Sequence, residues 1–143
     1  MVGYHLGMEI DLRHLSDPLI DESGTLGVID WDKLPFQPKR IYWIHSVNPF
    51  QTRGSHAHKR LKQFFWLIKG SISIELSNGN ETQKISMHEN KELLVVSPGY
   101  WRKLYDFSED AIVVVGADSA YDPDDYIHDW EEFLKWKKET SEH

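Results

Sequence analysis

From residue 26 to residue 117 the chain is a succession of short apolar and β-branched runs, each closed by a turn signal. That rhythm restricts the fold more than any other feature of the sequence. The runs cover residues 26–31, 40–47, 63–69, 71–76, 81–86, 92–97, 102–107 and 111–117. Pro35 and Pro38 bend the chain after the first run, Gly70 divides the third from the fourth, and Ser77-Asn78-Gly79-Asn80 is a strong hairpin signal. Short strands at regular spacing predict an all-β sandwich or barrel. Only the C-terminus reads as helix. Asp122-Pro123-Asp124-Asp125 supplies a cap, an early proline and early acids, and Tyr126, Ile127, Trp130, Phe133, Leu134 and Trp136 follow at helical spacing. The predicted organisation is an irregular segment or arm over residues 1–25, a barrel over 26–121, and a helix over 122–143 packed on the barrel.

Composition removes several function classes. The net charge of −7 disfavours non-specific binding to nucleic acid or membrane surfaces. The chain has no cysteine, which excludes disulfides and thiol catalysis. Its longest apolar runs, residues 64–68 and 111–115, are far too short for a membrane span or a signal-peptide core. A soluble cytoplasmic protein is expected. Aromatic residues make up 13 % of the chain, enough to furnish a pocket that stacks on rings.

The chemistry is concentrated in one stretch, Arg53-Gly54-Ser55-His56-Ala57-His58-Lys59, with Gln63 and Gly70 following. On a strand, residues two apart share a face, so His56 and His58 point together. This stretch resembles the first motif of the cupin superfamily: two histidines, a carboxylate a few residues on, then a glycine. Gln63 stands at the carboxylate position. Ser97-Pro98-Gly99-Tyr100-Trp101-Arg102 resembles the second cupin motif, with Arg102 where a third histidine would stand. A metal-binding cupin uses three histidines and a carboxylate. Here the anionic ligand is missing and a permanent cation replaces a lone-pair donor. The site is therefore expected to hold no metal.

The whole pattern is similar to one cupin family, the dTDP-4-keto-6-deoxyglucose 3,4-ketoisomerases, also described as WxcM-like sugar-nucleotide cupins. The resemblance rests on Arg53-Gly54-x-His56-Ala57-His58-Lys59 with Gln63, on Lys39-Arg40-Ile41-Tyr42 before it, on residues 101–108, and on Tyr121-Asp122, Asp125-Tyr126-Ile127 and Phe133-Leu134 in the tail. It covers about residues 26 to 135. Family members often place a further histidine in or near the second motif, where this chain has Arg102 and Tyr105. The resemblance implies a cupin-type jelly-roll barrel, usually a homodimer. It also implies a dTDP-linked 4-keto-6-deoxyhexose as substrate, the 3-keto isomer as product, and no metal or organic cofactor.

Chemistry fits that implication. Moving a ketone from carbon 4 to carbon 3 passes through an enediolate. An imidazole titrating near neutrality can take and return the proton. His56 and His58 are the expected catalytic pair. Arg53, Arg102, Tyr42 and Gln63 are the expected substrate-binding residues, the arginines suiting either a diphosphate or the enediolate oxygen. Trp101, Tyr121 and Tyr126 are expected to be structural, and His5, His14, His45, His88, His128 and His143 have no motif context. The competing readings are a 3,5-epimerase on the same nucleotide sugars, a non-catalytic sugar-nucleotide-binding cupin, and a metal-dependent cupin dioxygenase.

Overall fold

A computed structural model describes residues 8–89 and 91–141. His5 and His143 lie outside them. The alternating runs pair as two five-stranded antiparallel sheets that face one another. The first sheet contains β1 (Asp11–His14), β4 (Arg40–His45), β6 (Gln63–Lys69), β9 (Glu92–Val96) and β11 (Ile112–Ala117), in the order β1-β9-β6-β11-β4. The second contains β5 (Arg53–His58), β7 (Ser71–Ser77), β8 (Thr82–His88), β10 (Trp101–Tyr105) and the two-residue β12 (Tyr126–Ile127), in the order β12-β5-β10-β7-β8. A short hairpin of β2 (Leu19–Asp21) and β3 (Gly24–Leu26) stands apart. This is the jelly-roll architecture of the cupins, followed by one helix, α1 (Trp130–Ser141).

Both faces of the strands are used, which is why several runs are apolar without a break. Along β6, Phe65 and Leu67 point between the sheets, where they meet Leu94, Val113 and Val115 from their own sheet and Ile74, Leu76 and Leu104 from the other. Phe64 points outward and is covered, with Leu93 and Val95, by Leu15, Ile29, Leu34 and Phe36 from the N-terminal segment. On the opposite side α1 lays Phe133, Trp130, Leu134 and Trp136 over Ala57, Trp101 and Ile127.

Three sequence expectations are corrected. β1 joins the first sheet by pairing Asp11–His14 with Val95–Glu92, so the sheet begins well before residue 26. The run 26–31 is not a strand. β3 ends at Leu26, the 3-10 turn Trp31–Lys33 that follows is exposed, and Ile29, Leu34 and Phe36 on either side of it cover the sheet without pairing in it. The capping signal at Asp122 starts no α-helix. Its carboxylate accepts from the Asp124 N–H and, with Pro123, closes one 3-10 turn. The chain then pairs with β5 as β12, and α1 begins where the Asp129 carboxylate accepts from the Glu132 N–H.

The turns behave as their residues require. At the β7–β8 hairpin Asn78 Oδ1 accepts from the N–H groups of Asn80 and Glu81, and Gly79 takes φ +96°. Gly70, at φ +82°, links β6 to β7, and a Cβ there would stand 2.2 Å from Ser108 Oγ and 2.8 Å from the Ala111 backbone. Gly70→Ala therefore meets both strain and collision. It should lower stability by more than about 1 kcal/mol, seen as a lower urea midpoint at unchanged slope. An unchanged midpoint would contradict this account of the turn.

Candidate active site

The cavity opens between the sheets at the end formed by β4, β5, β6 and β10. Its volume is about 370 Å³, and its walls include Arg40, Tyr42, Arg53, Gly54, His56, Gln63, Phe65, Arg102, Leu104 and Tyr126. Period-two alternation delivers these side chains. Gln63 shares the inner face of β6 with Phe65, Tyr42 that of β4 with Ile44, and Arg102 that of β10 with Leu104. Arg102 lies opposite His56 in the β5–β10 register. Between His56 and Arg53 that register slips by one residue, and Gly54 within the slip takes φ +67°. The bulge turns Arg53 toward the cavity mouth.

Of the six predicted site residues, Tyr42, Arg53, His56, Gln63 and Arg102 line the cavity. His58 does not. The two histidines do share a face, with Nε2 to Nε2 at 3.1 Å. His58, however, is fully enclosed behind His56, and its Nδ1 is 2.9 Å from Asp125 Oδ2. Asp125 Oδ1 accepts from the Arg60 N–H at 2.6 Å. The site thus contains a line of three groups, cavity–His56–His58–Asp125.

The sequence pattern left out Asp125, expected only as an acid in the first turn of a helix, and also Tyr126 and His128. The Tyr126 ring centroid lies 5.0 Å from that of His56 and 4.4 Å from that of His58, and His128 stacks on the outer side of Tyr126 at 5.3 Å. The loop that carries them meets β5 only in three dimensions. The available signal was the Tyr-Asp tail within the resemblance. Trp101 packs under α1 against Trp130 and Phe133, as expected of a structural residue.

On the other wall, Gln63 bridges the sheets. Its Nε2 donates to the Tyr42 hydroxyl at 3.1 Å, and its Oε1 accepts from Arg102 Nη1. Arg102 Nη2 also donates to the Tyr100 carbonyl, while the buried Nε has no partner. No carboxylate of the described residues pairs with this enclosed guanidinium. A buried cation with only neutral partners is costly and attracts an anion. Arg40 lies over the Tyr42 ring at the mouth, 4.9 Å from its centroid.

Burial and the charge of Arg102 set the protonation states. Burial first, then Arg102 and the neighbouring His58, push His56 down to about 2. Burial and Arg102 push His58 down to about 4, against the pull of Asp125. Burial opposes ionisation of Asp125, but the Arg60 N–H and His58 outweigh it and hold the carboxyl below its usual range. Burial lowers Arg102 to about 10, so it remains a cation at neutral pH, and burial raises Tyr42, which stays a phenol. At neutral pH both imidazoles are neutral and able to accept a proton.

This has a consequence for stability. An unfolded histidine titrates near 6.5, but folded His58 titrates near 4. Between those values the unfolded chain takes up a proton that the folded chain refuses. The contribution is complete above pH 6.5 and declines as pH falls toward 4, with about 2 kcal/mol lost at pH 5 from this residue. Urea unfolding at pH 7.5 and pH 5.0 should show the fall, and His58→Gln should reduce it. Equal stability at the two pH values would contradict the buried neutral imidazole.

The family described as FdtA: WxcM-like, C-terminal matches residues 8–138. The chain belongs to this WxcM-like family. Among its relatives, the TDP-4-oxo-6-deoxy-alpha-D-glucose-3,4-oxoisomerase of Aneurinibacillus thermoaerophilus is 37 % identical over 119 residues, covering 82 % of this chain and 86 % of that protein. QdtA, a sugar 3,4-ketoisomerase from Thermoanaerobacterium thermosaccharolyticum solved in complex with TDP, superposes with TM-score 0.84 at 31 % identity, over 92 % of this chain and 96 % of that one. A 3,4-ketoisomerase from Helicobacter canadensis superposes with TM-score 0.83 at 32 % identity, over 92 % and 99 %. The jelly roll with its C-terminal helix is thus the fold of this WxcM-like chain and of solved ketoisomerases alike.

Proposed function

We propose that this WxcM-like protein is a 3,4-ketoisomerase that moves the keto group of a TDP-linked 4-keto-6-deoxyhexose from carbon 4 to carbon 3. The observation that carries the reading is the neutral imidazole of His56, opening into a cavity that also holds the buried cation Arg102, which has no carboxylate partner among the described residues. His56 takes the proton from carbon 3. The C–H electron pair becomes the carbon 3–carbon 4 double bond, and the carbonyl pair moves onto the carbon 4 oxygen. Arg102 and the Tyr42 hydroxyl stabilise the resulting enediolate, and Gln63 holds both in place. A proton passes from the carbon 3 oxygen to the carbon 4 oxygen. Return of a proton to carbon 4 then leaves the ketone on carbon 3.

Arg53 and Arg40, at the more open mouth, suit the diphosphate. The enclosed Arg102 suits the sugar end. The reaction is read as metal-independent, because Gln63 and the Arg102 cation occupy the positions where a metal-binding cupin has an anion and a third histidine. Activity should survive a chelator. The working unit is read as a homodimer. Leu19, Ile20, Leu26, Val28 and Trp31 of the N-terminal segment, and Ile41 and Trp43 on edge strand β4, are exposed apolar surface that a second copy would cover. Light scattering at micromolar concentration tests this, a monomer counting against it. No helix among the described residues is long and apolar enough to cross a membrane. A cysteine-free acidic chain acting on a nucleotide sugar fits the cytoplasm.

The test of the activity is incubation with TDP-4-keto-6-deoxyglucose followed by proton NMR. The reading expects a ketone at carbon 3 with the configuration at carbon 5 retained. Inversion at carbon 5 would indicate an epimerase, and bound but unaltered substrate a binding protein.

A further inference from the structure

The isomerisation as written makes no use of Asp125, yet this carboxylate is 5 % exposed and lies directly behind the histidine pair. We propose that Asp125 is a positioning residue that fixes the tautomers of both histidines and thereby makes Nδ1 of His56 the basic atom presented to substrate. This rests on the reading of His56 as the base and adds which atom acts and what sets it.

An ionised carboxylate can only accept hydrogen bonds. Asp125 Oδ1 already accepts from the Arg60 N–H, and Oδ2 lies 2.9 Å from His58 Nδ1, so that nitrogen must carry the proton. A neutral His58 then has a bare Nε2. The 3.1 Å contact between the two Nε2 atoms therefore has His56 as donor. The proton of neutral His56 is committed to Nε2, and its Nδ1 keeps a lone pair. That edge of the ring faces Gly54, where an added Cβ would lie 3.5 Å from His56 Cε1 and 3.9 Å from Nδ1. Gly54 is part of the cavity wall, and having no side chain it leaves the Nδ1 edge open.

The charges around the pair give Asp125 a second reason to matter. Arg102 and His128 both disfavour a proton on the histidines, and the carboxylate acts against them at His58. When His56 Nδ1 takes a proton, its Nε2 proton can pass to His58 Nε2. The new positive charge then rests one ring further from the cavity, against the carboxylate. The local sequence is built to aim this group. The Asp122 cap and Pro123 close the turn that ends on Asp125, and the Asp125 carbonyl accepts from the Lys59 N–H at 2.9 Å.

The alternative is that Asp125 merely fastens the loop to β5. Nitrogen-15 NMR of histidine-labelled wild-type protein at neutral pH separates the two without substrate. The proposal expects His58 protonated at Nδ1 and His56 at Nε2; the reverse tautomers overturn it. Asp125→Asn puts an amide that can donate in place of a pure acceptor, which allows the chain of tautomers to reverse. Turnover should fall about 10- to 100-fold with KM within about threefold, and His56 should lose its single tautomer. Asp124→Asn, which removes an exposed charge one residue away, should change neither. A folded Asp125→Asn protein with wild-type tautomers and turnover, or an equal loss in Asp124→Asn, would overturn the proposal. If Asp125→Asn does not fold, the wild-type tautomers decide alone. Expected tautomers in a protein that leaves TDP-4-keto-6-deoxyglucose unchanged would support the tautomer assignment and contradict the isomerase reading.

Discussion

His56→Asn should lower turnover by about 10²-fold or more while leaving KM nearly unchanged. Asparagine keeps much of the size and some hydrogen bonding of the imidazole but removes a base that is neutral at pH 7. Most affinity for a nucleotide sugar comes from the nucleotide and diphosphate, which His56 does not reach in this account, so the loss should fall on kcat. His58→Asn should also lower kcat, but less, because His58 lies behind the cavity wall and acts through His56. Steady-state kinetics of the two variants and the double variant test the order. Near-normal turnover in the double variant would remove the histidines from the mechanism.

Arg102→Met should separate activity from stability. The guanidinium is 1 % exposed and pairs with Gln63 and a backbone carbonyl but with no carboxylate among the described residues. Holding such a charge out of water works against folding. Methionine fills similar space without that penalty, although Gln63 Oε1 loses its donor. In the reaction the same charge faces the developing enediolate. Loss of one such stabilising group typically costs about 10²- to 10³-fold in rate. The expected result is a fall of that size in kcat/KM with Tm unchanged or raised. A variant that is both active and less stable would mean that Arg102 is structural.

The strand framework was legible because it depends on local patterns. Residues 63–69 alternate between two buried faces, and Asn78-Gly79 closes the hairpin where its residue types require. The shared face of His56 and His58 followed from period two alone, and Arg102 and Gln63 entered through motif positions. Depth was not legible. Nothing local to residues 56–58 says that the first histidine meets the cavity and the second is sealed behind it, since that depends on Tyr126 and Asp125 folding back from a loop 67 residues away. The same loop misled the reading of the C-terminus. An aspartate before a proline caps a 3-10 turn as well as a helix, and Tyr126 and Ile127 fit helical spacing while pairing as a strand. β1 was missed because Asp11-Leu12-Arg13-His14 has too little apolar character to announce itself; it is defined by the neighbour it pairs with, β9.

In the proposed reaction the proton removed first is the one on carbon 3, next to the existing ketone at carbon 4. This is tested most directly by running the wild-type protein on TDP-4-keto-6-deoxyglucose in deuterium oxide and locating the label in the product by NMR. The account predicts a 3-keto product carrying deuterium at carbon 4 and none at carbon 5. Deuterium at carbon 5, or return of the substrate without a 3-keto isomer, would contradict it.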